Sequence, residues 1–325
     1  MVYCMASLSD NLVITRTLEK LERQCGSQLL KLLNDPKTIE LMINPDGWVW
    51  LEQLGSPMRK VFQLSPNSAN AIMQTVAGYH GKIVNEQNPI LECEFPLDGS
   101  RFAGQVFPCV PNPSFTIRKK AVSIFSLEQY VEAGTMTERQ KDIIIDAVNS
   151  HKNILVVGGT GSGKTTLVNA IISKMTDNFP LERVVIIEDT GEIQCSAENY
   201  VQFHTSPNVT MTDLLKTTLR MRPDRILVGE VRGKEALDLL MAWNTGHSGG
   251  CATVHANNCD QALERIAMLI SMNADYPKPI EPLIASSVHV IVHIARHEHG
   301  RRINQILTVE GFSASAGKYV TREIS

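Results

Sequence analysis

The nine residues Gly158, Gly159, Thr160, Gly161, Ser162, Gly163, Lys164, Thr165 and Thr166 have the types and spacing in this chain that most directly specify chemistry. Gly158, Gly163, Lys164 and Thr165 meet the pattern G-x-x-x-x-G-K-[ST]. In it glycines admit positive φ, backbone N–H groups turn inward, and the following helix offers its N-terminus to an anion. Lys164 is expected to reach the β- and γ-phosphates of a nucleotide, and the Thr165 hydroxyl to sit on Mg²⁺. The apolar run NILVV (Asn153 to Val157) precedes the loop and the helical pattern LVNAIISKM follows it. A chance glycine-rich turn would have neither neighbour.

Ligands of open α/β sheets collect beyond the carboxyl ends of the strands, so polar residues closing other apolar runs become candidates for the same site. VVIIED (184–189) ends in Glu188 and Asp189, and RILVGEV (225–231) contains Glu230. A glutamate after Gly229 reaches one methylene further than an aspartate, which suits it to orient an attacking water. His255 closes CATVHA behind a glycine-rich stretch and Thr253, where it could sense a γ-phosphate by a hydrogen bond. His247 reads instead as a helix C-terminal cap. Each carboxylate alone could equally be a capping or solvated residue, and it is the intact phosphate loop that makes them converge. Arg101, Arg118, Arg220, Arg222 and Arg232 offer planar forks for phosphate oxygens, with surface ion pairing as the ordinary alternative. No metal-ligand cluster or hydrolytic triad is evident.

Elements must hold these residues in place. Met1 to about Leu33 is helical, with Leu18, Leu21, Leu29, Leu30 and Leu33 recurring on one face. IELMI and WVWLEQL read as strands about the turn Asn44-Pro45-Asp46-Gly47, and Ser65-Pro66 starts a helix that runs to Gly78 or Gly81. ILECEF and RFAGQVF form a hairpin across Leu97-Asp98-Gly99-Ser100, and SFTIRKK is a further strand. Residues 1–118 are therefore expected to be a small α+β domain, with Trp48, Trp50 and the phenylalanines in its packing. Residues 119–136 read as a linker with one short helix ending at Gly134. Residues 137–325 begin with the capping box Thr137-Glu138-Arg139-Gln140 and alternate strands with helices, the mark of a mostly parallel α/β sheet. The tail HVIVHIA, INQILTVEGF and KYVTREI reads as edge strands.

Composition sets outer limits. With 325 residues and 43% of them hydrophobic, two cored domains are feasible. A net charge of -3 advertises no strongly basic face for nucleic acid, so direct nucleic-acid binding is not favoured. No run approaches the roughly 18 apolar residues of a membrane helix, and the N-terminus lacks the pattern of a signal peptide. Seven scattered cysteines without a C-x-x-C pair fit a reducing cytoplasm.

Together GGTGSGKTT, VVIIEDTGEIQ, LRMRPDRILVGEVRG and TGHSGGCATVHAN resemble, in order, the motifs of the secretion ATPase superfamily, which powers type II secretion, type IV pili and type IV secretion. The resemblance covers nearly the whole chain and is strongest to its conjugal transfer branch. It implies an α/β fold with a RecA-like P-loop motor domain and a smaller α+β N-terminal domain. It also implies a cytoplasmic homo-hexamer, peripheral to the inner membrane and engaging components there, that hydrolyses ATP with Mg²⁺. By position, Thr165 would bind Mg²⁺, Glu188 would support Mg²⁺ or its waters, Glu230 would be the catalytic carboxylate and His255 the γ-phosphate sensor. Arg101 in DGSRF and Arg118 in SFTIRKK would approach the nucleotide from the N-terminal domain. Gly191 stands where relatives often carry proline, and the tetracysteine insert of the type II members is missing. A pilus assembly or retraction motor and a nucleotide-dependent scaffold with little turnover are the competing functions.

Overall fold

A computed structural model describes residues 2–119, 124–206, 208–297 and 300–324, with side chains from residue 12 onward. Residues 120–123, the start of the expected linker, lie outside that set, as does the side chain of Cys4. The chain forms two compact units, Met1–Val122 and Ser123–Ser325.

The first unit runs α1 (Val2–Leu33), β1 (Thr38–Ile43), β2 (Trp48–Gln53), β3 (Ser56–Gln63), α2 (Pro66–Tyr79), β4 (Ile90–Glu94), β5 (Arg101–Gln105) and β6 (Ser114–Arg118). Its strands form one antiparallel sheet in the order β3-β2-β1-β6-β5-β4. Alternation decides the faces: Leu41, Ile43, Val49, Leu51, Phe102, Phe115 and Ile117 go into a core with α1 and α2 residues such as Leu21, Leu29, Ile72 and Val76. The expected hairpin is present, with Phe95 N–H donating to Ser100 O at 2.6 Å. Two expectations are corrected. Helix α1 is interrupted at Gly26, whose φ of 67° and ψ of 169° are not helical. Trp48 and Trp50 alternate with the core residues Val49 and Leu51 and are not part of that core; the Lys60 ammonium lies 5.0 and 5.4 Å from their ring centroids.

The second unit continues α3 (Leu127–Glu132), α4 (Glu138–Asn149), β7 (Ile154–Val157), α5 (Lys164–Asn178), β8 (Val184–Glu188), β9 (Tyr200–His204), α6 (Met211–Thr218), β10 (Arg225–Val228), α7 (Glu235–Asn244), β11 (Cys251–Val254), α8 (Cys259–Ile270), α9 (Glu281–Ser287), β12 (Val290–His297), β13 (Gly300–Ser313) and β14 (Lys318–Ile324). The sheet order is β14-β13-β12-β7-β11-β10-β8-β9. From β12 to β9 the pairings are parallel, while β13 and β14 are antiparallel. Strands β7, β8, β10 and β11 are buried along their whole length, as expected of a sheet covered on both faces. Burying each of their Val, Leu and Ile side chains contributes about 1.5–3 kcal/mol. The tail is only partly an edge, because β12 pairs with β7 and lies inside the sheet. The capping box at Thr137 and Gln140 starts α4, and a second, at Ser126 and Gln129, starts α3.

Candidate functional site

The phosphate loop joins the carboxyl end of β7 to the first turn of α5, with Gly161 and Gly163 at φ of 69° and 97°. Gly158 is required on space alone, since a Cβ there would lie 2.2 Å from Ile294 O of β12. Lys164 is buried, and its ammonium donates to Gly158 O and Gly159 O, each at 2.9 Å. The Ser162 hydroxyl is buried in the loop with no hydrogen-bond partner. Such a polar atom is costly unless a ligand completes it.

Glu230 follows β10 and His255 follows β11, and these tips are tied together: Val231 N–H donates to Thr253 O at 2.9 Å and the Thr253 hydroxyl to Gly229 O at 2.6 Å. Glu230 Oε1 is 3.0 Å from His255 Nε2, and Glu230 Oε2 accepts from Arg232 Nη2 at 2.6 Å. Arg232 Nη1 also reaches Asp189 Oδ2 at 3.4 Å. Burial alone would raise the Glu230 carboxyl, but the Arg232 hydrogen bond and the charges of Arg232, His255 and Lys164 outweigh it and hold it below the usual range. His255 is held down as well, by burial first and then by Lys164, against the opposing pull of Glu230. Burial and Lys164 favour a neutral imidazole beside an ionised Glu230. Lys164, Glu230 and His255 thus act on one another at the carboxyl ends of β7, β10 and β11.

Glu188 closes β8. It is 2% exposed, and its Oε1 accepts the N–H groups of Glu192 and Ile193 at 3.0 and 2.9 Å, while Oε2 accepts from Gln202 Nε2 at 2.7 Å. Burial pushes its carboxyl up despite these donors. Gly229 leaves the room for it, since a Cβ there would meet Glu188 Cγ at 2.9 Å. Glu188 therefore holds the loop after β8 in shape, and it is Glu192 that the loop presents to the phosphate helix: Thr165 Oγ1 donates to Glu192 Oε2 at 3.3 Å. Glu192 escaped the sequence reading, although its place four residues after Glu188 in EDTGEIQ was the available signal. A hydroxyl beside a carboxylate is a hard oxygen pair that fits Mg²⁺, which takes one or two protein oxygens and fills its remaining positions with phosphate and water.

The remaining candidates are on other elements. Arg101 and Arg118 are in the first unit, directly opposite each other on β5 and β6, with Arg118 Nε 3.9 Å from Glu40 Oε2. His247 precedes β11 and so sits at the amino end of the sheet, away from the phosphate loop.

The family model for type II/IV secretion system proteins matches residues 86–318. A probable conjugal transfer protein TrbB of Sinorhizobium fredii is 44% identical over 92% of this chain and 91% of its own. The conjugal transfer protein TrbB of Rhizobium radiobacter is 43% identical over 91% of both, and the type IV secretion system protein VirB11 of Bartonella henselae is 31% identical over 92% of this chain and 94% of its own. Among solved structures, the pilus retraction motor PilT with bound ADP shares the fold at a TM-score of 0.63, with 18% identity, 86% of this chain and 81% of that one covered. The chain belongs to the type II/IV secretion system protein family of secretion ATPases.

Proposed function

We propose that this chain is the ATP-hydrolysing motor of a conjugative transfer or type IV secretion apparatus, working as a ring of six copies on the cytoplasmic face of the inner membrane. The observation that carries this reading is the grouping of Lys164, Glu230 and His255, with Glu230 and His255 3.0 Å apart and both sensing the Lys164 charge. The relatives at 43–44% identity are conjugal transfer proteins, which favours that machine over a pilus motor.

The loop residues Gly158 to Thr166 hold the phosphates through backbone N–H groups, and Lys164 exchanges its two carbonyl partners for phosphate oxygens. Thr165 and Glu192 would hold Mg²⁺, which would supply positive charge against the triphosphate. Glu188 positions Glu192 by fixing the loop between them. Glu230 takes a proton from the attacking water, and His255 hydrogen-bonds the γ-phosphate. Arg101 and Arg118, supplied by residues 1–118 of the same or a neighbouring copy, complete the charge around the triphosphate. Closure of that domain on residues 137–325, and its reopening, is the working stroke. Among the described residues no helix is long and apolar enough to cross a membrane.

The test measures mass in solution with and without ATP and Mg²⁺, alongside phosphate release, for wild type and Lys164→Ala. The expected result is a nucleotide-dependent ring that releases phosphate in wild type and not in the variant. A monomer that ignores nucleotide and releases nothing overturns the reading.

A further inference from the structure

Beyond Glu230 the structure holds a feature that hydrolysis as described above does not use. Glu230, Val231, Arg232, His255 and Arg265 line a cavity of about 390 Å³. It is open to solvent on one side and roomy enough for a small hydrated anion. Arg265 comes from α8, an element that supplies none of the groups assigned above. Among the described residues its guanidinium has no carboxylate within ion-pair distance, and its one hydrogen bond goes to Met268 Sδ at 3.4 Å, a weak acceptor on its own helix. Its charge is felt by His255 across the cavity. The wall therefore carries two guanidiniums and an imidazole held towards its neutral form, against one carboxylate already engaged by Arg232 and His255. A net positive wall with an uncommitted arginine fork is a site for a tetrahedral oxyanion.

We propose that this cavity receives the inorganic phosphate released by hydrolysis, with Arg265 as its anchoring cation. The inference rests on Glu230 being the group that activates water. In that step the water oxygen bonds to the γ-phosphorus, the bond from phosphorus to the ADP oxygen breaks, and one water proton passes to Glu230. Protonation removes the charge with which Glu230 holds Arg232 at 2.6 Å. A second guanidinium is thus released into the cavity as phosphate appears beside it. When Glu230 returns its proton to solvent, Arg232 is drawn back and the phosphate is expelled. Arg232 and Arg265 would therefore act in sequence, one permanently available and one only after cleavage.

The experiment titrates inorganic phosphate calorimetrically into the full chain loaded with ADP and Mg²⁺, so that the β-phosphate already fills the loop. Wild type, Arg265→Ala and Arg265→Lys are compared, with the affinity for ADP and for a non-hydrolysable ATP analogue measured on each. Loss of a charge-assisted contact is expected to weaken phosphate binding about tenfold or more in Arg265→Ala, with Arg265→Lys intermediate and ADP affinity kept in both. Phosphate binding unchanged in Arg265→Ala overturns the proposal, as does a wild type that binds no phosphate beside ADP. A loss that falls equally on the ATP analogue overturns it too, because Arg265 would then serve the uncleaved substrate. Should Arg265→Ala fail to bind ADP, the Arg265→Lys comparison decides. Wild-type turnover, measured in parallel, separates the two readings. Phosphate binding without turnover defeats the hydrolytic function alone, and turnover without phosphate binding beside ADP defeats the cavity assignment alone.

Discussion

The two ends of the parallel sheet carry the same three side-chain types in contact and put them to opposite uses. At the amino end Arg225 Nε donates to Glu182 Oε2 at 2.5 Å and His151 Nε2 lies 2.6 Å from Glu182 Oε1. At the carboxyl end Arg232 Nη2 donates to Glu230 Oε2 at 2.6 Å and His255 Nε2 lies 3.0 Å from Glu230 Oε1. Both glutamate side chains are 20% exposed, so the difference lies in the arginines. Arg225 is 0% exposed, donates further to Gly249 O and Val148 O, and stacks 4.8 Å from the Phe179 ring centroid. Arg232 is 48% exposed and holds only carboxylates. One arginine has its donors committed to the protein, which makes it a pin; the other keeps capacity for a ligand, which makes it a working part.

Exchanging charge for an amide at each glutamate is the largest test of that contrast. Glu230→Gln is expected to lower turnover by about 10²–10⁴-fold, the usual worth of a general base, while ATP still binds. Glu182→Gln, at the same exposure and with the same kinds of partner, is expected to leave turnover near wild type and to lower the melting temperature instead. Phosphate release and thermal unfolding of both variants check it. Wild-type turnover in Glu230→Gln would refute the assignment of the base.

The arginines come next, with the effects reversed. Arg225→Ala strands Glu182 and two buried carbonyls, so a loss of about 3 kcal/mol is expected, a fall of about 6–12 °C for a unit of this size. Arg232→Ala breaks a half-exposed pair and is expected to cost under about 1 kcal/mol. Urea unfolding of the two variants gives the comparison, and equal losses would mean that Arg232 is as structural as Arg225.

What was legible in sequence follows the same division. The phosphate loop, Glu230 and His255 could be read because each lies within a few residues of a strand end and the spacing is local. The amino-end pin could not, because it joins residues far apart in the chain. Asn153 shows why: its Oδ1 accepts the Gly249 and Gly250 N–H groups at 2.8 and 3.0 Å, and its Nδ2 donates to Ser287 O at 2.7 Å. Glu192 was not read because the loop that brings it to Thr165 folds back on Glu188, which no local pattern encodes. The edge strands β3 and β9 were hidden for another reason, as neither buries a residue and so neither alternates. Helix α8 was not read, although Asn258 caps it and Ala262, Leu263, Ile266, Leu269 and Ile270 are buried at helical spacing.

The smallest effect compares histidines. His289 belongs to the amino end, where its Nδ1 accepts the Asn153 N–H at 2.9 Å. His255 and His289 are both held below the ordinary value of about 6.5, each by burial first, but the second cause is Lys164 for His255 and Lys152 for His289. The sign for stability follows from the depressed values. Below about pH 6.5 the unfolded chain binds protons that these folded imidazoles still refuse, so each contributes a loss of stability as pH falls from there through its folded value. Lys164→Ala removes the second cause at His255 only. Imidazole chemical shifts followed against pH are therefore expected to show the His255 value rising towards 6.5 in Lys164→Ala while that of His289 stays in place. Movement of both would mean that the two ends of the sheet are electrostatically one region, and movement of neither would place Lys164 too far from His255 for the two to serve one phosphate.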